Sequence, residues 1–167
     1  KRQAMEKGQG EVPVYSVDEL LEQAQKVGVE GVIDCGCELP NLMTAIDMAR
    51  EHPGTVHAAI AIHPNEAVLH GHRGAPGPDG LPIKYKPWHD IPFDEAMAEV
   101  HRLATTYPNQ VVAIGETGMD LFRTGESAKE LQREAFRAHV ALAKELNLPM
   151  QIHDRDSVSY THLRAHE

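Results

Sequence analysis

Two short segments of this chain combine residue types that bind metals or anions. One is Gly115-Glu116-Thr117-Gly118-Met119-Asp120, directly after the apolar run Val111-Val112-Ala113-Ile114. The other is His153-Asp154-Arg155-Asp156, directly after Pro149-Met150-Gln151-Ile152. A carboxylate such as Glu116 can bind or bridge divalent metals, or it can cap a loop or pair with an arginine. His153 can offer a neutral ring nitrogen to zinc or a related ion, or bond a backbone carbonyl in a core. Arg155 carries a planar fork that suits two phosphate oxygens or, in an ion pair, two carboxylate oxygens. His63, in Ile62-His63-Pro64-Asn65-Glu66, is either a substrate contact or a polar residue fixing the turn before Pro64. Asp120 lies four residues past Glu116 and is expected to support the site rather than ligate. Gly115 and Gly118 predict room for a ligand beside Glu116. Asp34 is expected in a structural role, with lining of the site mouth as the alternative.

These residues need elements to hold them. Ser16 is a plausible N-cap for a helix over Val17 to Val27, ended by Gly28. A short strand follows at Gly31 to Gly36, and a helix opened by Pro40 runs to about His52. Val56 to Ile62 is almost wholly apolar, which predicts a strand buried on both faces. A third helix is expected from Pro92 to Tyr107, and a fourth from Ser127 to Leu146 between the two chemistry-bearing strands. Four strands alternating with helices predict a parallel sheet. Polar residues at strand ends, and no Gly-rich nucleotide fingerprint after any strand, favour part of an eight-stranded barrel over an open doubly wound sheet. The segment from His70 to Pro92, rich in Gly, Pro and His, reads as a surface insertion. Within it His70-Gly71-His72 has the spelling of a metal pair, but no strand to hold it.

The chain has 167 residues, 41% hydrophobic and 25% charged, which suits one globular domain. Its net charge of -9 argues against a broad basic surface for nonspecific duplex binding. A phosphate substrate stays open, because bound divalent cations invert the local sign. No apolar run is long enough to span a membrane, and no signal peptide is visible. Cys35 and Cys37 would sit about 6–7 Å apart on a strand, poorly placed to bridge. They are expected to be reduced thiols of a cytoplasmic protein, for which no protein partner is inferred. Val158 to Glu167 resembles the translation of a sequencing-library adapter, so residues 157–167 are expected to be a non-native tail. No function is given to His162 or His166 on that account.

The two opening motifs, with Ile62-His63-Pro64-Asn65-Glu66 and the Asp34-Cys35-Gly36-Cys37 strand end, make the chain resemble the TatD family of metal-dependent deoxyribonucleases. The resemblance covers roughly Ser16 to Asp156, and Gln9-Gly10-Glu11-Val12-Pro13 is similar in style to actinobacterial members. It implies an α/β fold in residues 1–156, a partial TIM (β/α)8 barrel of the metallo-dependent hydrolase type with about four βα units. It implies hydrolysis of DNA phosphodiester bonds, often as a 3′ exonuclease, with two divalent ions of Mg, Mn or Zn. Glu116 would bridge the metals, His153 would ligate the second, His63 and Arg155 would lie near the substrate phosphate, and Asp120 would support the site. Leu121 departs from the aromatic residue usual after the aspartate. The family's His-x-His pair, a further histidine and a final aspartate acting as base are expected outside Lys1 to Glu167. No catalytic base is therefore assigned in this chain, and a fragment is expected to fold poorly and be inactive. The rival readings are a hydrolase of the same superfamily acting on a lactone, amide or small ester, and a barrel that only binds.

Overall fold

The computed structural model describes residues 14–73 and 83–157. The chain divides into two compact units, Lys1–Val32 and Ile33–Glu167. In the first, helix α1 (Val17–Lys26) starts at Ser16 with a full capping box. The Ser16 hydroxyl accepts the Glu19 N–H at 3.2 Å, and the Glu19 carboxylate accepts the Ser16 N–H at 2.7 Å. Two otherwise orphaned backbone donors are thereby satisfied, which is why the helix begins there.

Strand β1 (Val32–Gly36) leads into the second unit. There follow α2 (Leu39–Glu51), β2 (Val56–Ile60), the single turn α3 (Pro64–Ala67), α4 (Phe93–Thr106), β3 (Val111–Asp120), α5 (Lys129–Leu146) and β4 (Met150–Arg155). The sheet order is β1-β2-β3-β4, and β2–β3 and β3–β4 pair in parallel. Strand order follows chain order without reversal, the winding of a (β/α)8 barrel and not of an open sheet with a switch point. Leu42, Ile46, Ile60, Ile62, Val100 and Ile114 are fully buried and form the core. The burial on both faces expected for Val56 to Ile62 holds for β2, and β3 is largely buried too. On the outer strands Ile33 and Ile152 are 53% and 52% exposed, each strand having a single neighbour in the sheet.

Two expectations change. The strand expected to end near Ile114 runs on to Asp120, so Glu116 lies within β3 and His153 within β4. Pairing passes from Ile114–Met150 to Thr117–Ile152, three residues against two, so a bulge falls at Gly115–Glu116. The segment from His70 to Pro92 is not simply a surface insertion. Its ends form turns at His70–His72 and Pro87–Asp90, with His70 and His89 0% and 1% exposed. His70 and His72 do not act as a pair. His70 Nδ1 lies 2.8 Å from the Ile91 carbonyl, while His72 Nε2 meets Asp90 at 2.6 Å. The tail with His162 and His166, and the stretch Gln9 to Pro13, lie outside the described residues.

Candidate metal centre

Three strands deliver the candidate residues. The bulge in β3 carries Glu116, β4 carries His153, and the chain leaving β2 carries His63 as the N-cap of α3. Gly118 pairs with His153 in the register of β3 and β4. Its φ is +145°, and a Cβ there would overlap the His153 carbonyl oxygen. A Cβ on Gly115 would likewise meet Gln151. The two glycines therefore make room for β4 and not, as expected, for a ligand: without side chains the strands close up and bring His153 beside Glu116.

His153 stands between two carboxylates. Its Nδ1 lies 2.9 Å from Glu116 Oε1, and its Nε2 lies 3.0 Å from Asp120 Oδ2. The His63 ring meets the His153 ring edge-on, with centroids 4.4 Å apart. One ligand-competent atom from each of His63, Glu116 and His153 falls within 4.8 Å of the others. The Glu116 and His153 side chains are 33% and 18% exposed, enough for a ligand to reach them, whereas Asp120 is 2% exposed.

The donor set fits a divalent metal. A neutral imidazole has one N–H, so it can satisfy only one of two facing carboxylates. The other nitrogen then points a lone pair at a carboxylate, a repulsion that a cation or a second proton removes. With His153 Nε2–H donating to the Asp120 carboxylate, Nδ1 and Glu116 would face the same cation, a carboxylate–histidine–metal arrangement. His63 differs. Its Nδ1 accepts the Asn65 N–H at 3.2 Å, so its neutral ring carries the proton on Nε2. Burial first, and then the charge of His153, lowers its pKa and favours that neutral form. A ring presenting Nε2–H suits an anionic oxygen better than a metal.

Asp120 is held from every side. Its Oδ1 accepts the N–H groups of Phe122 and Arg123, both at 3.0 Å, and its Oδ2 accepts Asn65 Nδ2 at 2.9 Å. Burial alone would raise its pKa, but the Arg123 N–H, the Asn65 amide and His153 hold the carboxyl below its ordinary value. Arg155 is exposed, and its guanidinium lies over the Phe122 ring, 3.9 Å from the centroid. Among the described residues no carboxylate pairs with Arg155, unlike Arg50 on Asp47 or Arg102 on Glu99. The ion pair that the sequence left open for it is therefore absent there. Asp34 stands half-buried on β1 and takes no part in the cluster.

Sequence reasoning missed the residues behind this site. Asn65 bridges Asp120 to Thr124, whose hydroxyl donates to Asn65 Oδ1 at 2.6 Å. Gln132 closes a ring on the Asp120 backbone, accepting its N–H at 2.9 Å and donating to its carbonyl at 2.8 Å. His139 Nε2 accepts the Ile62 N–H at 3.1 Å, next to His63, and its Nδ1–H donates to the Ala135 carbonyl at 2.7 Å. A signal existed: Gln132 and His139 are polar residues on the buried stripe Gln132, Ala135, His139, Leu142 of α5. Cys35 and Cys37 are free thiols. Burial pushes the Cys37 pKa up to about 11, against a backbone hydrogen bond from Glu116.

A parallel βα half-barrel that gathers His63, Glu116 and His153 at the ends of neighbouring strands has the architecture of a candidate metal site. The profile of the family described as TatD related DNase matches residues 11–166, and the chain belongs to that family. It is 33% identical over 141 residues to "Uncharacterized metal-dependent hydrolase YabD" of Bacillus subtilis, a match covering 84% of this chain and 45% of that protein. It is 31% identical over 140 residues to "3'-5' ssDNA/RNA exonuclease TatD" of Erwinia tasmaniensis, covering 84% and 44%. The crystal structure of YJJV, a TatD homolog from Escherichia coli, superposes with a TM-score of 0.64 at 26% identity, over 93% of this chain and 52% of that one. The chain thus spans about half the length of the curated relatives it matches. Among the described residues no helix is long and apolar enough to cross a membrane.

Proposed function

We propose that the whole protein is a metal-dependent phosphodiesterase that shortens single-stranded DNA, from the 3′ end, using two divalent ions of Mg, Mn or Zn. The observation that carries this reading is the His153 ring set between Glu116 at 2.9 Å and Asp120 at 3.0 Å. The name of the Erwinia relative, a 3'-5' ssDNA/RNA exonuclease, supports the substrate class and polarity. When bound, such ions polarise a phosphate and supply hydroxide at neutral pH.

Each residue then has a task. Glu116 and His153 Nδ1 would hold the metal, Glu116 as a carboxylate ligand and His153 as an imidazole ligand. Asp120 keeps the proton on His153 Nε2, so the Nδ1 lone pair stays available. His63 Nε2–H donates to a non-bridging phosphate oxygen, and the Arg155 fork holds the same phosphate or its neighbour. The free thiols Cys35 and Cys37 suit a cytoplasmic setting. The test is hydrolysis of end-labelled single-stranded oligonucleotides by the full-length protein, with each metal, with chelator, and in Glu116→Gln. Metal-dependent loss of 3′ nucleotides, abolished by chelator and by the substitution, is expected. Turnover that survives both overturns the reading, and turnover of lactones or small esters alone moves the protein to that rival class.

A further inference from the structure

Phe122 is the residue beside this site that the proposed chemistry leaves unused. It follows β3 by two residues and is 41% exposed, so it does not serve the core. Arg155 lies 3.9 Å from its ring centroid, and the Arg123 guanidinium lies 4.9 Å from it. This exposed ring with two guanidinium groups is anchored to the candidate centre at both ends. The Phe122 and Arg123 N–H groups share Asp120 Oδ1, while the other oxygen of that carboxylate meets His153. Arg155 is two residues past His153 on β4, hence on the same face of the strand and one strand step, about 6–7 Å, further along.

We infer that Phe122, with Arg155 and Arg123, forms a stacking ledge for an unpaired nucleobase of the strand whose phosphate sits at Glu116 and His153; this rests on the nucleic-acid reading above. Three features select that ligand. An aromatic face and guanidinium planes stack with any base, whatever its edge pattern. The two cations offset the phosphate charge in a chain that is otherwise acidic, with a net charge of -9. In a duplex both faces of each base are covered by neighbours, so the ledge discriminates in favour of single strands and frayed ends. A simple phosphate clamp would need the arginines but not the exposed ring.

The test separates bases from backbone. A single-stranded oligonucleotide and an abasic deoxyribose-phosphate strand of equal length, both with phosphorothioate linkages that resist hydrolysis, compete for the full-length protein with its metal bound. The wild type is expected to prefer the base-bearing strand by about tenfold in Kd. Phe122→Leu is expected to bring that ratio to about one, and Phe122→Trp to keep or raise it. Equal binding of both strands by the wild type, or a preference that survives Phe122→Leu, overturns the ledge. Should Phe122→Leu disturb folding, Phe122→Trp decides, because a ratio that falls to one in that variant also overturns it. If the wild type binds neither strand, the nucleic-acid reading itself fails, and with it the ledge.

Discussion

Asp120 Oδ2 lies 3.0 Å from His153 Nε2, while the other nitrogen of the same ring faces Glu116 at 2.9 Å. A proton placed on Nε2 and donated to Asp120 would leave the other edge of the ring for a ligand. Asp120→Asn keeps the size and most of the local packing but removes the charge that holds the tautomer. Metal affinity of the full-length protein is expected to fall roughly 10- to 100-fold. Calorimetric titration with manganese or zinc measures this, and unchanged affinity would show that Asp120 serves only the turn at Phe122.

Arg155 is the arginine beside the site whose fork meets no carboxylate among the described residues. Arg155→Lys replaces two-point contact with a point charge. The expected result is a KM for oligonucleotide raised about tenfold, with metal affinity within twofold of wild type. A normal KM would reduce Arg155 to a packing partner of Phe122.

His139 is fully buried, and burial lowers its pKa to about 4, against a hydrogen bond to the Ala135 carbonyl that raises it. The unfolded chain has an ordinary histidine near ~6.5. Between these values the unfolded state binds a proton that the folded state refuses. The stabilisation is therefore whole above about pH 6.5 and is lost as pH falls towards 4, by about 3 kcal/mol in all. His139→Gln is expected to flatten that part of the stability–pH profile measured by denaturant unfolding. A profile as steep as that of the wild type would assign the slope to other groups.

Gly118 has φ +145°, and any Cβ there would collide with the His153 carbonyl. Gly118→Ala is expected to cost ~2 kcal/mol or more and to push β4 away from β3, weakening metal binding with it. A variant with wild-type stability and metal affinity would mean that the two strands do not need this close approach.

Much of this was legible in the sequence because it is local. Apolar runs, Ser16 with Glu19, Pro40 and the alternation of strands and helices specify elements through nearest-neighbour physics. Glu116 and His153 stood out because metal-competent side chains fall near the ends of two neighbouring strand-like runs, where parallel barrels build their sites. Tertiary structure alone decided the rest. Gly118 could be read as open space or as a strand contact, and only the pairing with His153 settles that it is a contact. The end of β3 was hidden because strand length depends on a partner, and β4 extends the pairing to Asp120. The support of Asp120 by Asn65, 55 residues away, and by Gln132 from α5 has no local pattern. A buried hydrogen bond is set by where two distant segments meet, and residue type alone does not state who the partner is.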